Sequence, residues 1–180
     1  RRVGVMPPQV KDANVIVDLA VHDVDIFGYL LGNGEPTDLF CNAGRAIAED
    51  RFDFADIFLR YGPVACFLQV NWVTPVKIRS LAVTGTAGYA HVEYVTQRLD
   101  FYRAGPAVEP TSFAELEALS EQEPERLDFP HEEPLARELR EFLCAVRGEP
   151  AEIVGAEEAR ATMVVATRLV ELAEQHALTP

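Results

Sequence analysis

Asp18 and His22 are the residues whose types and spacing most clearly suggest chemistry in this chain. They lie four positions apart, and Asp25 and Tyr29 continue the spacing, so on a helix these side chains share one face. A carboxylate one turn before a histidine can hold the imidazole in one tautomer and raise its basicity. The pair could act as a general acid or base, or it could be an ordinary structural pair.

One helix over Asp12–Gly32 would position these side chains. Asp12 or Asn14 can cap its start, and Gly32 follows its last apolar residues, where a left-handed stop is expected. Most positions between these ends are apolar, which is typical of a buried helix. Since burying a polar side chain is unfavourable unless it is paired or used, the polar face predicts a site or an ion pair in apolar surroundings.

Two other carboxylates on this helix are assigned structural roles. Asp25 is predicted to hold the helix to a sheet. Asp23 points away from the polar face and is predicted to be a capping or surface carboxylate.

The composition indicates a single domain over residues 1–180 with a sizeable core, since 48% of the residues are apolar and 25% are charged. The net charge of −13 argues against nucleic acid or an anionic membrane as a partner. No apolar run approaches the roughly 20 residues of a membrane span. Cys41, Cys66 and Cys144 are predicted to be free thiols in a reducing cytoplasm. The chain does not begin with Met, and we expect a fragment of a longer protein.

Alternating apolar and polar residues between Thr37 and Arg103 predict a sheet. The short connections, including one at Thr74-Pro75, favour antiparallel hairpins. The predicted fold class is α+β, with an open, mainly antiparallel sheet of about six strands. These strands are expected near residues 38–48, 53–61, 64–73, 77–85, 89–95 and 97–103, and Arg1–Val5 can be a further short strand.

The strand over Val64–Val73 is mostly apolar on both faces. A sheet of this kind needs helices on one face and another cover on the other. We therefore expect a homo-oligomer packed through the open sheet face, with dimer and tetramer both possible. Trp72 is predicted to pack in the core or at that interface, and His91 to be a half-exposed strand residue.

The segment over 104–133 is acidic and irregular, with a short helical turn near 113–119. A helix from Pro134 to Gly148 and a second from Gly155 to His176 are predicted to close the chain. The predicted inner face of the second helix consists of Met163, Val164, Ala166, Thr167, Val170 and Ala173.

The glycine clusters do not form a dinucleotide-binding fingerprint. The triplet Gly32-Asn33-Gly34 follows a helix and lacks the third glycine, and Gly85–Gly88 lies between two strands. We therefore assign no cofactor-binding residue to this chain, and no metal site.

Several segments together resemble the Gfo/Idh/MocA oxidoreductases. Asp18–Asp25, followed by Tyr29–Gly32, resembles the family's DxGxHDxD helix. The remaining similarities are to its strand pair ending in GTxG, at Asn71–Arg79 and Gly85–Gly88, and to its closing helices, at Glu133–Glu138 with Phe142 and at Ala156–Ala159.

This resemblance implies a C-terminal α+β domain with helices on one face of its sheet. It implies a separate N-terminal Rossmann domain that binds NAD or NADP and carries an E-K-P motif, neither of which occurs in this chain. His22 would be the acid/base on a sugar or polyol hydroxyl, Asp18 would support it, and Asn14, Asp18 and His22 would contact substrate. The isolated chain is then expected to be inactive.

The opening residues Arg2, Gly4, Pro7 and Pro8 also resemble members that act on nucleotide-activated amino sugars. Many members carry glycines just before the helix motif, where this chain has Ala13-Asn14. Side chains there would narrow the pocket, which leaves the substrate class open.

Two other functions remain possible from the sequence. Asp18, His22 and Asp25 could ligate a divalent ion in a metal-dependent hydrolase, although further histidines would be needed. The chain could instead be a non-catalytic dimerisation module.

Overall fold

The computed structural model describes residues 1–32, 34–105 and 110–176, apart from the side chains of residues 118–120. A π-helical turn at Ile16–Ala20 leads directly into helix α1, Val21–Leu31. The other helices are α2, Phe113–Ser120; α3, Pro134–Val146; and α4, Ala156–His176. The strands are β1, Arg2–Val5; β2, Asp38–Gly44; β3, Phe54–Tyr61; β4, Val64–Asn71; β5, Val73–Gly85; β6, Gly88–Glu93; β7, Arg98–Arg103; and β8, Glu125–Leu127.

The strands form an open, mixed sheet in the order β2-β3-β4-β1-β5-β6-β7-β8. β2, β3 and β4 pair antiparallel, and so do β5, β6, β7 and β8, while β1 pairs parallel with β4. The predicted α+β class with an open, mainly antiparallel sheet is confirmed, with eight described strands instead of about six. β1 matches the short strand expected at the start, whereas β8 lies in the segment predicted to be irregular.

The expected hairpin between β4 and β5 is wrong, because β1 lies between them. The predicted turn at Thr74-Pro75 is wrong for a related reason. The Asn71 carboxamide oxygen accepts hydrogen bonds from the backbone N–H groups of Val73, at 3.1 Å, and Thr74, at 2.9 Å. This side chain closes the turn early, so β5 already begins at Val73 and runs through Pro75.

The strand predicted over 38–48 ends at Gly44 because a buried carboxylate organises the loop that follows. Asp53 is fully buried and accepts the backbone N–H groups of Ala46, Ile47 and Ala48 at 2.5 to 2.8 Å. These three bonds replace strand pairing for residues 46–48.

Contacts group the chain into two compact units, one comprising Arg1–Ile78 with the chain from Pro134 onward, the other Arg79–Glu133. The assignment of 1–180 as a single domain stays a prediction. In the first unit, α4 packs on β2 and on α1, and the π-helical turn packs on β4. Buried strand residues under these helices include Cys41, Ile57, Leu59, Leu68 and Val70.

The inner face predicted for α4 is partly wrong. Ala166 and Ala173 are buried as predicted, but Val165 and Leu169 are buried too, whereas Met163 and Val164 are exposed. Residues 163–166 are consecutive apolar residues, so the pattern did not fix which side of the helix faces inward.

The opposite face of β2, β3 and β4 is open. It carries Phe40, Phe58 and Phe67, of which Phe67 is 75% exposed. The rings of Phe58 and Phe67 lie 5.2 Å apart, and Arg60 lies over Phe58. The three phenylalanines line a depression of about 410 Å³, together with Arg1, Asp56 and Gln69.

Helix α3 has no buried residue among those described. Its polar side is tied to the following segment, because Arg137 pairs with Glu152 at 2.9 Å and Glu141 accepts the backbone N–H of Glu152 at 3.0 Å. Gly148 ends this helix region in a left-handed conformation, with φ of 73°. The apolar side is exposed at Leu135, Leu139, Phe142, Leu143 and Val146, which we call the α3 stripe.

In the second unit, Asp100 lies between two arginines. Burial would raise the pKa of Asp100, but hydrogen bonds and charge from Arg98, at 2.6 Å, and Arg126, at 3.4 Å, outweigh it and hold the pKa below its ordinary value. His91 is half-buried on β6, as predicted, and Ser112 caps α2 by accepting the N–H of Glu115.

The three cysteines are free, as predicted, with Cys41 and Cys66 buried and Cys144 half-buried. Burial, with a smaller contribution from Asp56, raises the pKa of Cys41 to about 12. Every helix in the described part of the chain is too short or too polar to cross a membrane.

Candidate functional site

Asn14 starts the helix that carries the predicted site. Its carboxamide oxygen accepts the backbone N–H groups of Ile16, at 3.0 Å, and Val17, at 3.1 Å, and its backbone carbonyl accepts the N–H of Asp18 at 3.0 Å. Of the two caps left open by the sequence, Asn14 is therefore the one used. Gly32 ends α1 with φ of 87°, which confirms the left-handed stop.

The first turn of this helix is wider than an α-helical turn. The N–H of Val21 donates to the carbonyl of Ile16, five residues earlier, and Asp18 lies in the middle of this π-helical turn. Single π-helical turns occur mostly inside α-helices and frequently at functional sites. Sequence periodicity alone could not reveal this turn, since the pattern assumes 3.6 residues per turn throughout.

Asp18 is half-buried and bonded to the sheet. The indole Nε1–H of Trp72 donates to Asp18 Oδ2 at 3.3 Å. Trp72 is only 2% exposed, which agrees with its predicted packing role, but its contact with Asp18 was not predicted. The two residues lie 54 positions apart in the sequence, so spacing gives no signal for this bond.

His22 is exposed at the start of α1. The expectation that the pair lies in apolar surroundings is therefore wrong for the imidazole. The buried side of the helix is formed instead by Val15, Ile16, Leu19, Val24 and Phe27. The buried side is narrower than the count of apolar residues suggests, and His22 lies outside it at the surface.

Asp23 is 3% exposed, so the prediction of a capping or surface carboxylate is wrong. It follows His22 by one residue, about 100° around the helix, and its Oδ1 pairs with Nε of Arg2 on β1 at 2.9 Å. Its Oδ2 is buried without a hydrogen-bond partner among the described residues. A buried carboxylate needs a cation beside it. The only indication of this in the sequence was Arg2, a cationic residue in the predicted first strand.

Asp25 is half-buried and structural, but it does not hold the helix to the sheet as predicted. Its Oδ1 accepts the hydroxyl of Thr162 at 3.2 Å, which joins α1 to α4. Tyr29, the last residue of the predicted polar face, is 82% exposed.

Asn14 also lines a polar cavity of about 330 Å³. Arg51 donates to Asp50 through Nε, at 2.9 Å, and Nη2, at 2.6 Å, and this bond lowers the pKa of Asp50. The other charged lining residues are Lys11, Asp12, Arg45 and Glu174. The cavity lining carries charges of both signs and both hydrogen-bond donors and acceptors. This cavity therefore suits a ligand rich in hydroxyl groups better than an apolar ligand.

The described residues bring no three His, Cys, Asp or Glu side chains together at a metal-binding distance. Asp18, His22 and Asp25 are all described, and Asp18 and Asp25 bond to Trp72 and Thr162 respectively. The side chains proposed for a metal-dependent hydrolase therefore do not converge on one point.

Residues 6–91 match the family model for the GFO/IDH/MocA C-terminal domain. The matched stretch is slightly less than half of the chain. It includes Asn14, Asp18, His22 and Trp72.

Among curated proteins, this chain is similar to the UDP-N-acetylglucosamine 3-dehydrogenase of Acidithiobacillus ferrooxidans. The two are 29% identical over 147 residues, which cover 81% of this chain and 44% of the relative. The chain thus spans less than half the length of the curated relative it matches.

Solved structures show the same fold. The structure of GnnA, the UDP-N-acetylglucosamine 3-dehydrogenase from Acidithiobacillus ferrooxidans, aligns with a TM-score of 0.79 at 22% identity, over 97% of this chain and 52% of that one. KijD10, a 3-ketoreductase from Actinomadura kijaniata solved with TDP-benzene and NADP, aligns with a TM-score of 0.64 at 16% identity, over 98% of this chain and 51% of that one.

Proposed function

We propose that this chain is the substrate-facing half of an NAD(P)-dependent dehydrogenase that oxidises a hydroxyl group of a sugar, polyol or nucleotide-sugar. The observation that carries this proposal is the exposed imidazole of His22, one turn after a carboxylate that the sheet holds in place. The names of the similar proteins, a UDP-N-acetylglucosamine 3-dehydrogenase and a 3-ketoreductase, support the reaction class.

His22 is the proton-handling group in this proposal. In alcohol oxidation the hydroxyl proton and the hydride on the same carbon leave separately, and NAD(P), when bound to the full-length protein, would supply the hydride acceptor. A ring nitrogen of His22 accepts the proton, and Asp18 stabilises the imidazolium that forms.

The two glycine clusters do not have the setting of a dinucleotide-binding loop. Gly32 lies at the end of α1, and Gly85 and Gly88 flank the turn between β5 and β6, so neither cluster presents a helix N-terminus to a phosphate. Asn33, the middle residue of the first cluster, lies outside the described residues. We assign the NAD(P) site to the part of the relatives that this chain does not span, and expect the isolated chain not to turn over.

Asn14, Asp18 and His22 are the proposed substrate contacts. The Asn14 oxygen is used by the helix cap, so a substrate contact from this residue would come from its amide nitrogen. The polar cavity beside Asn14 suits a ligand with many hydroxyl groups, and we favour a nucleotide-sugar because of the curated relative's name.

The test is His22→Ala in the full-length protein that contains this chain, assayed against a panel of UDP-sugars with NAD and NADP. We expect kcat/KM to fall by about 100-fold or more, the usual size of a general-base contribution. His131→Ala, an exposed histidine in the second unit, is the matched control and should leave kcat/KM unchanged. A fall of less than about tenfold for His22→Ala would contradict the role of this residue.

We also propose that two copies of the chain pack through the open face of β2, β3 and β4. Phe40, Phe58 and Phe67 give this face its apolar centre, and Arg60 and Asp56 give it charges of both signs. A face with both signs of charge can pair with itself across a two-fold axis.

Phe67→Asp should lower the mass measured by light scattering to that of one chain at micromolar concentration. Phe113→Asp replaces a similarly exposed ring on α2 and should leave the mass of the oligomer unchanged. A wild-type protein that is already monomeric at this concentration would overturn the proposal.

The free thiols of Cys41, Cys66 and Cys144 support a cytoplasmic setting for the protein.

A further inference from the structure

We infer that Trp72 is a positioning residue that fixes the orientation of the Asp18 carboxylate, and through it the imidazole of His22. The inference rests on the proposed function of His22. The contact between Trp72 and Asp18 can be tested without it.

Trp72 is buried, and its backbone and side chain are both hydrogen-bonded. It is the one residue between β4 and β5, and its backbone N–H donates to the carbonyl of Asp53 at 2.9 Å. Asp53 is itself fixed by three backbone N–H groups, and Asn71 closes the turn beside Trp72. With only 2% of its surface exposed, the indole has no room for another rotamer.

The indole N–H can only donate a hydrogen bond. It donates to Asp18 Oδ2 at 3.3 Å, and Asp18 is half-buried where this bond forms. One carboxylate oxygen is thereby fixed on the sheet side, which determines where Oδ1 can point.

The π-helical turn explains why the hydrogen bond from Trp72 matters for the orientation of Asp18. Asp18 lies inside Ile16–Ala20, where the backbone is wider than in an α-helix, so the spacing of four residues does not by itself set the direction of the Asp18 carboxylate. A rigid indole from the sheet supplies the direction that the local helix geometry does not.

Trp72 is the only tryptophan in the chain, so it gives one indole N–H signal in a ¹⁵N–¹H NMR spectrum. We expect Asp18→Ala to move that signal upfield from its wild-type position, since the acceptor is lost. Asp25→Asn, on the same helix but bonded to Thr162, is the matched control and should leave the signal in place. An indole signal that Asp18→Ala leaves unmoved would overturn the contact.

The second measurement uses Trp72→Phe in the full-length protein. Phenylalanine keeps an aromatic ring in the core and removes the donor. We expect kcat to fall about tenfold while KM changes less than about twofold, since a positioning role acts on the reacting geometry more than on binding. An unchanged kcat, in a protein whose activity does depend on His22, would overturn the positioning role.

The NMR measurement and the kinetic measurement together distinguish a failure of this inference from a failure of the proposed function. If His22→Ala keeps full activity, the proposed function fails, while the NMR result still decides whether Trp72 holds Asp18. If the Trp72→Phe protein does not fold, Asp18→Asn is the substitute variant. The carboxamide that Asp18→Asn introduces is a weaker, neutral acceptor, so we expect the indole signal to shift less than in Asp18→Ala and kcat to fall. An Asp18→Asn enzyme with wild-type kcat would overturn the inference.

Discussion

Helices α3 and α4 follow one another in the chain and both have an apolar side, yet only α4 buries it. Leu169 of α4 is fully buried against β2 and α1, whereas Leu139 of α3 is 54% exposed. The polar side of α3 is instead the side bonded to its own chain, through Arg137 and Glu141. An amphipathic pattern therefore predicts that an apolar side exists, but not that the same chain covers it.

The largest expected difference between the two helices is in stability. Leu169→Ala should lower the free energy of unfolding by about 2–5 kcal/mol, because it removes apolar contacts and leaves a cavity in the core. Leu139→Ala, the same change on the α3 stripe, should stay within about 0.5 kcal/mol of wild type. Urea unfolding followed by circular dichroism measures both. A cost above about 1 kcal/mol for Leu139→Ala would mean that the α3 stripe is covered in solution.

Thiol labelling should separate the same two regions by at least about tenfold in rate. Cys41 lies on β2, the strand covered by α4, and burial raises its pKa to about 12, so its reactive thiolate is scarce at pH 8. Cys144 lies on α3; burial and the nearby Glu149 raise its pKa as well, but its side chain is only half-buried. Labelling with a disulfide reagent at pH 8, followed by peptide mass mapping, should find Cys144 modified first.

The raised pKa of Cys41 also predicts how the free energy of unfolding changes with pH. The unfolded chain ionises this thiol near the ordinary value of 9.0, and the folded chain only near 12. Stability contributed by the protonated thiol is therefore complete below pH 9 and is lost as pH rises from 9 towards 12. Cys41→Ala should weaken this alkaline loss, and an identical pH profile for the variant would contradict the assignment.

The smallest differences concern single polar contacts. Thr162→Val on α4 removes the half-buried hydrogen bond to Asp25 and should cost about 0.5–1.5 kcal/mol. Glu152→Gln breaks the exposed ion pair with Arg137 of α3 and should cost no more than about 0.5 kcal/mol. Thermal unfolding in low and high salt checks both, since only the second change acts on a contact that salt screens. Equal costs would show that α3 is held as firmly as α4.

Much of the fold followed from local patterns. Alternation over Thr37–Arg103 predicted the strands β2 to β7 to within a few residues at most ends, and Gly32 and Asn14 predicted the limits of the helix that carries Asp18. These features depend on residues close in sequence, where steric and capping rules act directly.

What the sequence did not predict depends on contacts between distant residues. Asp23 was expected at the surface, but Arg2 on β1 pairs with it in the interior. Asp18 was expected to act with His22 alone, but Trp72 from the sheet bonds to it. The π-helical turn gave no signal because its residues are as apolar as those of an α-helix.

The place of β1 has a consequence for how the chain folds. This strand of four residues completes the middle of the sheet, between β4 and β5, and its Arg2 pairs with the distant Val70. Until β1 inserts, β4 and β5 each present unpaired N–H and C=O groups to other chains. Long-range pairing of this kind is slow, so a chain in which β1 has not yet paired would expose two aggregation-prone edges at once. Mutations that weaken β1 should therefore reduce the yield of refolded protein before they measurably change its folded state.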